Sequence, residues 1–248
     1  MSKLVFNDVS KSFIRSDSDT ITNALSDINF ETHDGEFISI VGPSGCGKST
    51  ILRLIAGLIF PTTGNISLDG KEIKGPSSSR GMVFQKSTLF PWLTVKENVG
   101  FSGTLKNEKK IDEATVDKML EKVGLLDFKN SYPSNLSGGM AQRVSLIRTL
   151  INKPEVLLLD EPLGALDAFT RMNMQDEILK LWNEEKNLSI MVTHDVDEAV
   201  YMSTKVIVME PRPGRIKKVV PIDLEYPRNR TSKEFTDYRN DLLNTLDI

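Results

Sequence analysis

Residues 42–50 read Gly42-Pro43-Ser44-Gly45-Cys46-Gly47-Lys48-Ser49-Thr50 and fit the pattern G-x-x-x-x-G-K-[ST] in the setting it requires. A short apolar strand, Glu36-Phe37-Ile38-Ser39-Ile40-Val41, runs into them, and a helix opens behind them with Ile51-Leu52-Arg53-Leu54-Ile55-Ala56-Gly57-Leu58. Glycines let successive backbone N–H groups turn inward with no Cβ in the way, so the loop and the helix N-terminus together cradle a polyphosphate. Lys48 is then placed to reach β- and γ-phosphates, and the Ser49 hydroxyl to hold Mg²⁺. As the only thiol of the chain, Cys46 is expected to stand where the phosphates sit.

Working outward, residues 4–9 and 25–31 read as strands joined by a polar, hairpin-like link through Ser16-Asp17-Ser18-Asp19-Thr20. Pro61-Thr62-Thr63-Gly64 ends the helix behind the loop, and residues 65–73 read as a strand, an Asp69-Gly70 turn and a second short strand. Residues 81–85 form another short apolar strand ending on Gln85. From 94 to 130 the apolar residues Ile111, Val116, Met119, Leu120 and Val123 recur at helical spacing, and a further helix is predicted from about Met140 to Ile151. Glu155-Val156-Leu157-Leu158-Leu159-Asp160 is a strand of the kind buried on both faces of a parallel sheet. Helix 169–186, strand 188–193, helix 196–202 and strand 205–209 continue a βαβ alternation, whereas the Pro- and charge-rich last 35 or so residues carry little pattern.

With 248 residues the chain can bury a large core, and 31 basic against 34 acidic residues, a net charge of −3, provide no bulk electrostatic footprint for nucleic acid. No secretory h-region opens the chain, and no apolar run approaches the roughly 18–20 residues that span a bilayer. The expectation is a cytosolic protein, or one held at a membrane by a partner.

A phosphate loop needs an acid to complete the Mg²⁺ shell, and Asp160, at the end of a buried strand, stands where doubly wound folds place one. Glu161 follows it and is suited to orient and deprotonate an attacking water. Leu136-Ser137-Gly138-Gly139-Met140 precedes a helix and offers an anion a hydroxyl, unshielded N–H groups and a positive dipole end. One phosphate loop is already present, so a second anion-binding terminus makes sense if it serves the nucleotide of another copy. A flexible helix cap is the alternative reading of the same residues.

The phosphate loop, Gln85, the 136–140 signature, Asp160-Glu161, Gly164-Ala165-Leu166-Asp167 and His194 occur in an order that resembles the ATP-binding cassette ATPases, over about residues 1–215. The resemblance implies an α/β fold with a RecA-like phosphate-loop NTPase core and an antiparallel β subdomain (about 1–88 and 152–215), a helical insert (about 89–151) and a C-terminal extension (about 216–248). It implies ATP and Mg²⁺ as cofactors, bound by residues 42–50, with Ser49, Gln85 and Asp160 about the metal. It further implies two copies closed head to tail, with Ser137 and Gly139 on the partner's γ-phosphate, Gly138 between them among the nucleotide-binding residues, and Asp167 across the interface. His194 is the expected γ-phosphate contact, and Lys48, Gln85, Glu161 and His194 the catalytic group. Phe13, after the first strand, is either the ring that stacks on adenine or a core residue. His33 has no motif around it and reads as surface.

Met140 departs from the glutamine usual at the fifth signature position, and a thioether cannot donate the hydrogen bond of an amide. Arg80-Gly81-Met82-Val83-Phe84-Gln85, Leu89 to Val99, Met140 and Pro211-Arg212-Pro213-Gly214-Arg215 resemble importer ATPases of the nitrate, sulfonate and taurine type. That likeness implies a peripheral subunit on the cytoplasmic face, bound to integral membrane permease subunits and served by an extracytoplasmic solute-binding protein, with no regulatory barrel after the core. Phe90, Pro91, Trp92 and Leu93 would line the groove for a permease helix, unless they are core of the insert. The rivals are a soluble cassette ATPase of DNA repair, translation or cluster assembly, and a nucleotide kinase. The first would show coiled-coil inserts or basic patches, and the second has no use for the signature or for Glu161.

Overall fold

The computed structural model describes residues 3–14, 20–105, 110–164 and 166–247. Ser16 to Asp19 of the polar link, and Ala165, lie outside these. The chain begins with β1 (Leu4–Ile14), β2 (Ile21–Glu31) and β3 (Phe37–Val41), passes through the glycine loop into α1 (Lys48–Ile55), and continues with β4 (Thr63–Leu68), β5 (Lys71–Glu72) and β6 (Arg80–Val83). Then come α2 (Val95–Gly100), α3 (Glu113–Lys122) and α4 (Gly138–Leu150), followed by β7 (Val156–Asp160), α5 (Ala168–Glu185), β8 (Leu188–Val192), α6 (Val196–Met202), β9 (Lys205–Glu210), β10 (Arg215–Pro221) and α7 (Lys233–Thr245).

Two sheets result. β2-β1-β4-β5 is antiparallel, and β10-β9-β3-β8-β7-β6 is parallel except for β10, which runs antiparallel along the edge of β9. Alternation along the central strands explains why they read as unbroken apolar runs. Ile38 and Ile40 of β3 and Val156 and Leu158 of β7 face a core shared with α1 and the antiparallel sheet, while Phe37, Val41, Leu157 and Leu159 face a second core under α2 to α7.

α1 begins at Lys48, earlier than the apolar pattern suggests, because Gly47 caps it in the left-handed region at φ 95°. A Cβ there would also collide with Leu25 of β2, so the antiparallel sheet holds the loop from outside. Residues 94–130, read as helical in period, form a series of short helices. Thr94 and Glu97 cap α2 reciprocally, a 3₁₀ turn follows at Phe101–Thr104, and Asp112 starts α3 by accepting from the Thr115 N–H at 2.7 Å.

The uninformative C-terminal stretch is structured and continuous with the core. β10 adds to the main sheet, and α7 seats Phe235 and Leu242, both essentially unexposed, in the helical core. Arg228 is buried, its guanidinium donating to the carbonyls of Ser203 (2.7 Å) and Leu224 (3.1 Å) and also to that of Val200. Among the described residues no helix is long and apolar enough to cross a membrane.

Candidate nucleotide site

The site lies at the carboxyl ends of β3, β8, β7 and β6, where a doubly wound sheet leaves its crevice. After β3, the Cys46 N–H closes the loop onto the Pro43 carbonyl at 3.3 Å, and Pro43, Ser44 and Gly45 form an exposed rim. Lys48 is 8% exposed, and its Nζ donates to the carbonyls of Gly42 (2.7 Å) and Pro43 (3.2 Å), so the cation is held beneath the loop. Ser49 and Thr50, both half-buried, occupy the first turn of α1. The Ser49 hydroxyl donates to Asp160 Oδ1 at 3.0 Å, tying that turn to the end of β7.

Cys46 does not stand among the phosphates. Its side chain is buried in the core beneath Gly42, and burial raises the thiol pKa, so only its backbone faces the loop.

Gln85 follows β6, Glu161 follows β7 and His194 follows β8, three neighbouring strands, and their side chains meet. Glu161 Oε2 accepts from Gln85 Nε2 at 3.2 Å and lies 3.5 Å from His194 Nδ1. Glu161 adopts φ 45°, a strained choice for a residue with a Cβ, while its N–H bonds the Val192 carbonyl at 3.0 Å. The sheet thus supplies a left-handed turn that aims one carboxylate between an amide and an imidazole.

Asp167 and Ser137 act as helix caps. Asp167 Oδ1 accepts from the Thr170 N–H at 3.0 Å, and hydrogen bonds from Thr170 hold its carboxyl below the usual range. Ser137 Oγ accepts from the Met140 N–H at 3.3 Å, and the Met140 side chain packs against the core. A Cβ on Gly139 would press on Thr170 at 3.0 Å, whereas one on Gly138 would meet nothing within 4 Å. The signature therefore abuts the start of α5, and no hydrogen bond among the described residues joins Ser137, Gly138 or Gly139 to residues 42–50.

Phe13 is 40% exposed near the end of β1, with Lys11 Nζ 5.1 Å from its ring, so it is not a core residue. Trp92 is 69% exposed. Phe90 packs on Phe101 with ring centroids 4.4 Å apart and under the Arg148 guanidinium at 5.6 Å. Cavities of about 460 Å³ (Arg80, Phe90, Phe101, Arg148) and 430 Å³ (Trp92, Leu93, Ile111, Val116) flank this turn.

Several positions escaped sequence reasoning. Asn98, fully buried, accepts from the Phe90 N–H and donates to the Phe90, Leu93 and Thr94 carbonyls at 2.8–3.1 Å, fixing the turn that displays Trp92. Gln142 donates to the Phe84 carbonyl at 3.2 Å, linking α4 to the Gln85 loop. Glu198 is buried beside Thr193 and Gln175, and desolvation raises its carboxyl pKa. Polar residues within apolar helices were their only signal.

A phosphate loop tied by its serine to an acid at the sheet edge, with a second carboxylate beside it, defines a phosphate-loop nucleotide hydrolase. The chain belongs to the ABC transporter family, whose profile matches residues 25–164, and it is an ATPase subunit of that family. It is 54% identical over 224 residues to the uncharacterized ABC transporter ATP-binding protein MJ0412 of Methanocaldococcus jannaschii, covering 90% of this chain and 84% of that one. It is 47% identical over 225 residues to the aliphatic sulfonates import ATP-binding protein SsuB of Bacillus licheniformis, covering 90% and 86%. Among solved structures, the dimeric post-hydrolysis state of the cassette MJ0796 bound to ADP and Pi superposes with a TM-score of 0.78 at 30% identity, over 90% of this chain and all of that one.

Proposed function

We propose that the chain is the ATP-hydrolysing subunit of an importer for a small anion of the sulfonate type, working as a homodimer on the cytoplasmic face of the membrane beneath a permease. The observation that carries the catalytic part is the convergence of Gln85, Glu161 and His194 from three adjacent strand ends beside the Ser49–Asp160 pair. The substrate class rests on the sulfonate importers' likeness, at 46–48% identity over 88–96% of this chain.

The residues present fit Mg²⁺. Ser49 and Asp160 offer adjacent hard oxygens with the Gln85 amide nearby, and the described residues hold no cluster of three or more His, Cys, Asp or Glu that would form an all-protein cage. Mg²⁺ is commonly held in this way, by one or two protein oxygens plus phosphates and water. When bound, it neutralises charge on the β- and γ-phosphates.

Lys48 and the loop N–H groups orient the triphosphate, leaving the γ-phosphorus toward the strand ends. Glu161 takes a proton from the attacking water at Oε1 or Oε2, with the Gln85 amide holding the carboxylate in place and the His194 imidazole donating to a γ-phosphate oxygen. Phe13 stacks on the adenine. Ser137, Gly138 and Gly139 complete the γ-phosphate shell of the second copy, and Asp167 faces across the same interface.

The turn carrying Trp92 receives the permease. Its support is an exposed tryptophan on a turn that buried Asn98 makes rigid, with a cavity on either side. The test is reconstitution with the cognate permease and solute-binding protein in proteoliposomes. ATP turnover should rise several-fold when the binding protein carries an alkanesulfonate, and the chain should sediment with vesicles only when the permease is present. Turnover indifferent to permease and binding protein would point instead to a soluble cassette ATPase.

A further inference from the structure

We infer that Arg171 is a positioning residue that clamps the loop bearing Asp167 to the loop bearing His194, so that engagement of the partner subunit is transmitted to the histidine. It rests on the roles proposed above for those two residues. Arg171 lies in the first turn of α5. Its Nη2 donates to the Leu166 carbonyl at 3.0 Å, and its Nη1 lies 3.3 Å from Asp195 Oδ2. Leu166 immediately precedes Asp167, and Asp195 immediately follows His194. One planar fork therefore bridges the residues adjoining two functional side chains.

The His194 side chain is 65% exposed, with Glu161 Oε2 3.5 Å from its Nδ1. Its place is consequently set by the backbone of residues 193–195. That backbone is anchored to β3 by the Thr193 N–H on the Ile40 carbonyl at 3.2 Å and to α6 by the Ala199 N–H on the Asp195 carbonyl at 3.1 Å, and two side chains add to this. Thr193 Oγ1 accepts from the Asp195 N–H at 3.0 Å, and Asp195 Oδ1 caps α6 through the Glu198 N–H at 3.1 Å. The remaining carboxylate oxygen of Asp195 is the one Arg171 holds.

Arg171 Nε is buried without a hydrogen-bond partner, a costly arrangement that persists here because both terminal nitrogens are engaged at once. Lysine cannot reproduce this, since a single ammonium lacks the fork needed to span two acceptors in fixed directions. The ion pair itself is about a third exposed on each side, so its value lies in geometry rather than in stability.

The test compares steady-state ATP hydrolysis of Arg171→Gln, Arg171→Lys, Asp195→Asn and the double variant Arg171→Gln/Asp195→Asn, with His194→Ala as reference. Asn caps a helix as well as Asp, so Asp195→Asn keeps α6 while weakening the clamp. Arg171→Gln should lower kcat by at least about tenfold with KM for ATP within about twofold, the pattern of an interaction that matters in the transition state. It should also bring the Hill coefficient for ATP toward one. Arg171→Lys should fail to rescue, and the double variant should be no slower than Arg171→Gln alone, as expected for residues acting through one contact.

If His194→Ala hydrolyses ATP like the wild type, the reading of the site is wrong and the clamp falls with it. If His194→Ala is inactive while Arg171→Gln keeps wild-type kcat and cooperativity, the clamp alone is overturned. A fall in kcat that tracks a fall in melting temperature or a rise in KM, or rescue by lysine, would make Arg171 a structural residue and likewise overturn it. Should Arg171→Gln not fold, Asp195→Asn decides by the same readouts.

Discussion

Two glycine-rich turns lead into helices in this chain, and they are furnished differently. The turn into α1 is complete in itself, with a buried lysine under the loop, a serine bonded to Asp160, and Gln85, Glu161 and His194 grouped at the neighbouring strand ends. The turn into α4 has a hydroxyl and free space above Gly138, but among the described residues no hydrogen bond to the phosphate loop. Both turns present a helix N-terminus, which favours anions, and among the described residues the first has Gln85, Glu161 and His194 grouped beside it. Such a difference is what a composite site requires, in which one copy supplies the machinery and the other closes it.

The largest effect should come from removing the carboxylate beside the first turn. Glu161→Gln is expected to leave ATP affinity intact and lower turnover by about 100-fold, about 3 kcal/mol in the barrier, in a steady-state phosphate-release assay. Wild-type hydrolysis would break the contrast at its source. Next is Asn98→Ala, which leaves the Phe90 N–H and the Phe90, Leu93 and Thr94 carbonyls without their buried partner. Denaturant unfolding should show a loss of about 3 kcal/mol.

Trp92→Ala should do the reverse. At 69% exposure its removal should change stability by less than about 0.5 kcal/mol, while weakening sedimentation with permease-bearing vesicles by about tenfold, as for an interface anchor. Equal losses in both assays would make the tryptophan structural.

The smallest effect concerns buried Glu198. Its folded pKa is raised above the usual 4.5, chiefly by desolvation, so the stability linked to its proton is present below that value and lost as pH rises through the folded one. Glu198→Gln should therefore gain on the wild type by about a degree or two in melting temperature between pH 4 and pH 8. Parallel melting curves across that range would contradict the shift.

The sheet, the phosphate loop and the residues after β6, β7 and β8 were legible because burial on both faces leaves continuous apolar strands and a glycine loop has a fixed spacing. Four things were not. The thiol of Cys46 is buried in the core, because the side chain at this position of the loop packs beneath Gly42. Residues 94–130 break into short helices at caps whose polar residues the apolar period does not register. α7 hides Phe235 and Leu242 among charges, and its start depends on the Ser232 cap, whose Oγ accepts from the Phe235 N–H at 3.2 Å. Gln142 matters through a backbone carbonyl 58 residues away, and Asn98 and Arg171 through carbonyls four to eight residues back that only the folded turns bring to them, which the apolar period does not encode.

The composite site is tested most directly by Gly138→Asp in the Glu161→Gln background, followed by light scattering on a sizing column with MgATP. A Cβ at residue 138 meets nothing within 4 Å among the described residues, and an acid suits the first turn of a helix, so folding and ATP binding should be unchanged. The carboxylate would nevertheless stand against the partner's γ-phosphate. The parent Glu161→Gln protein should elute at twice the monomer mass with MgATP and at the monomer mass without it, and Gly138→Asp should remain monomeric in both. A nucleotide-dependent dimer that survives Gly138→Asp would place the signature away from the partner's nucleotide and contradict the account.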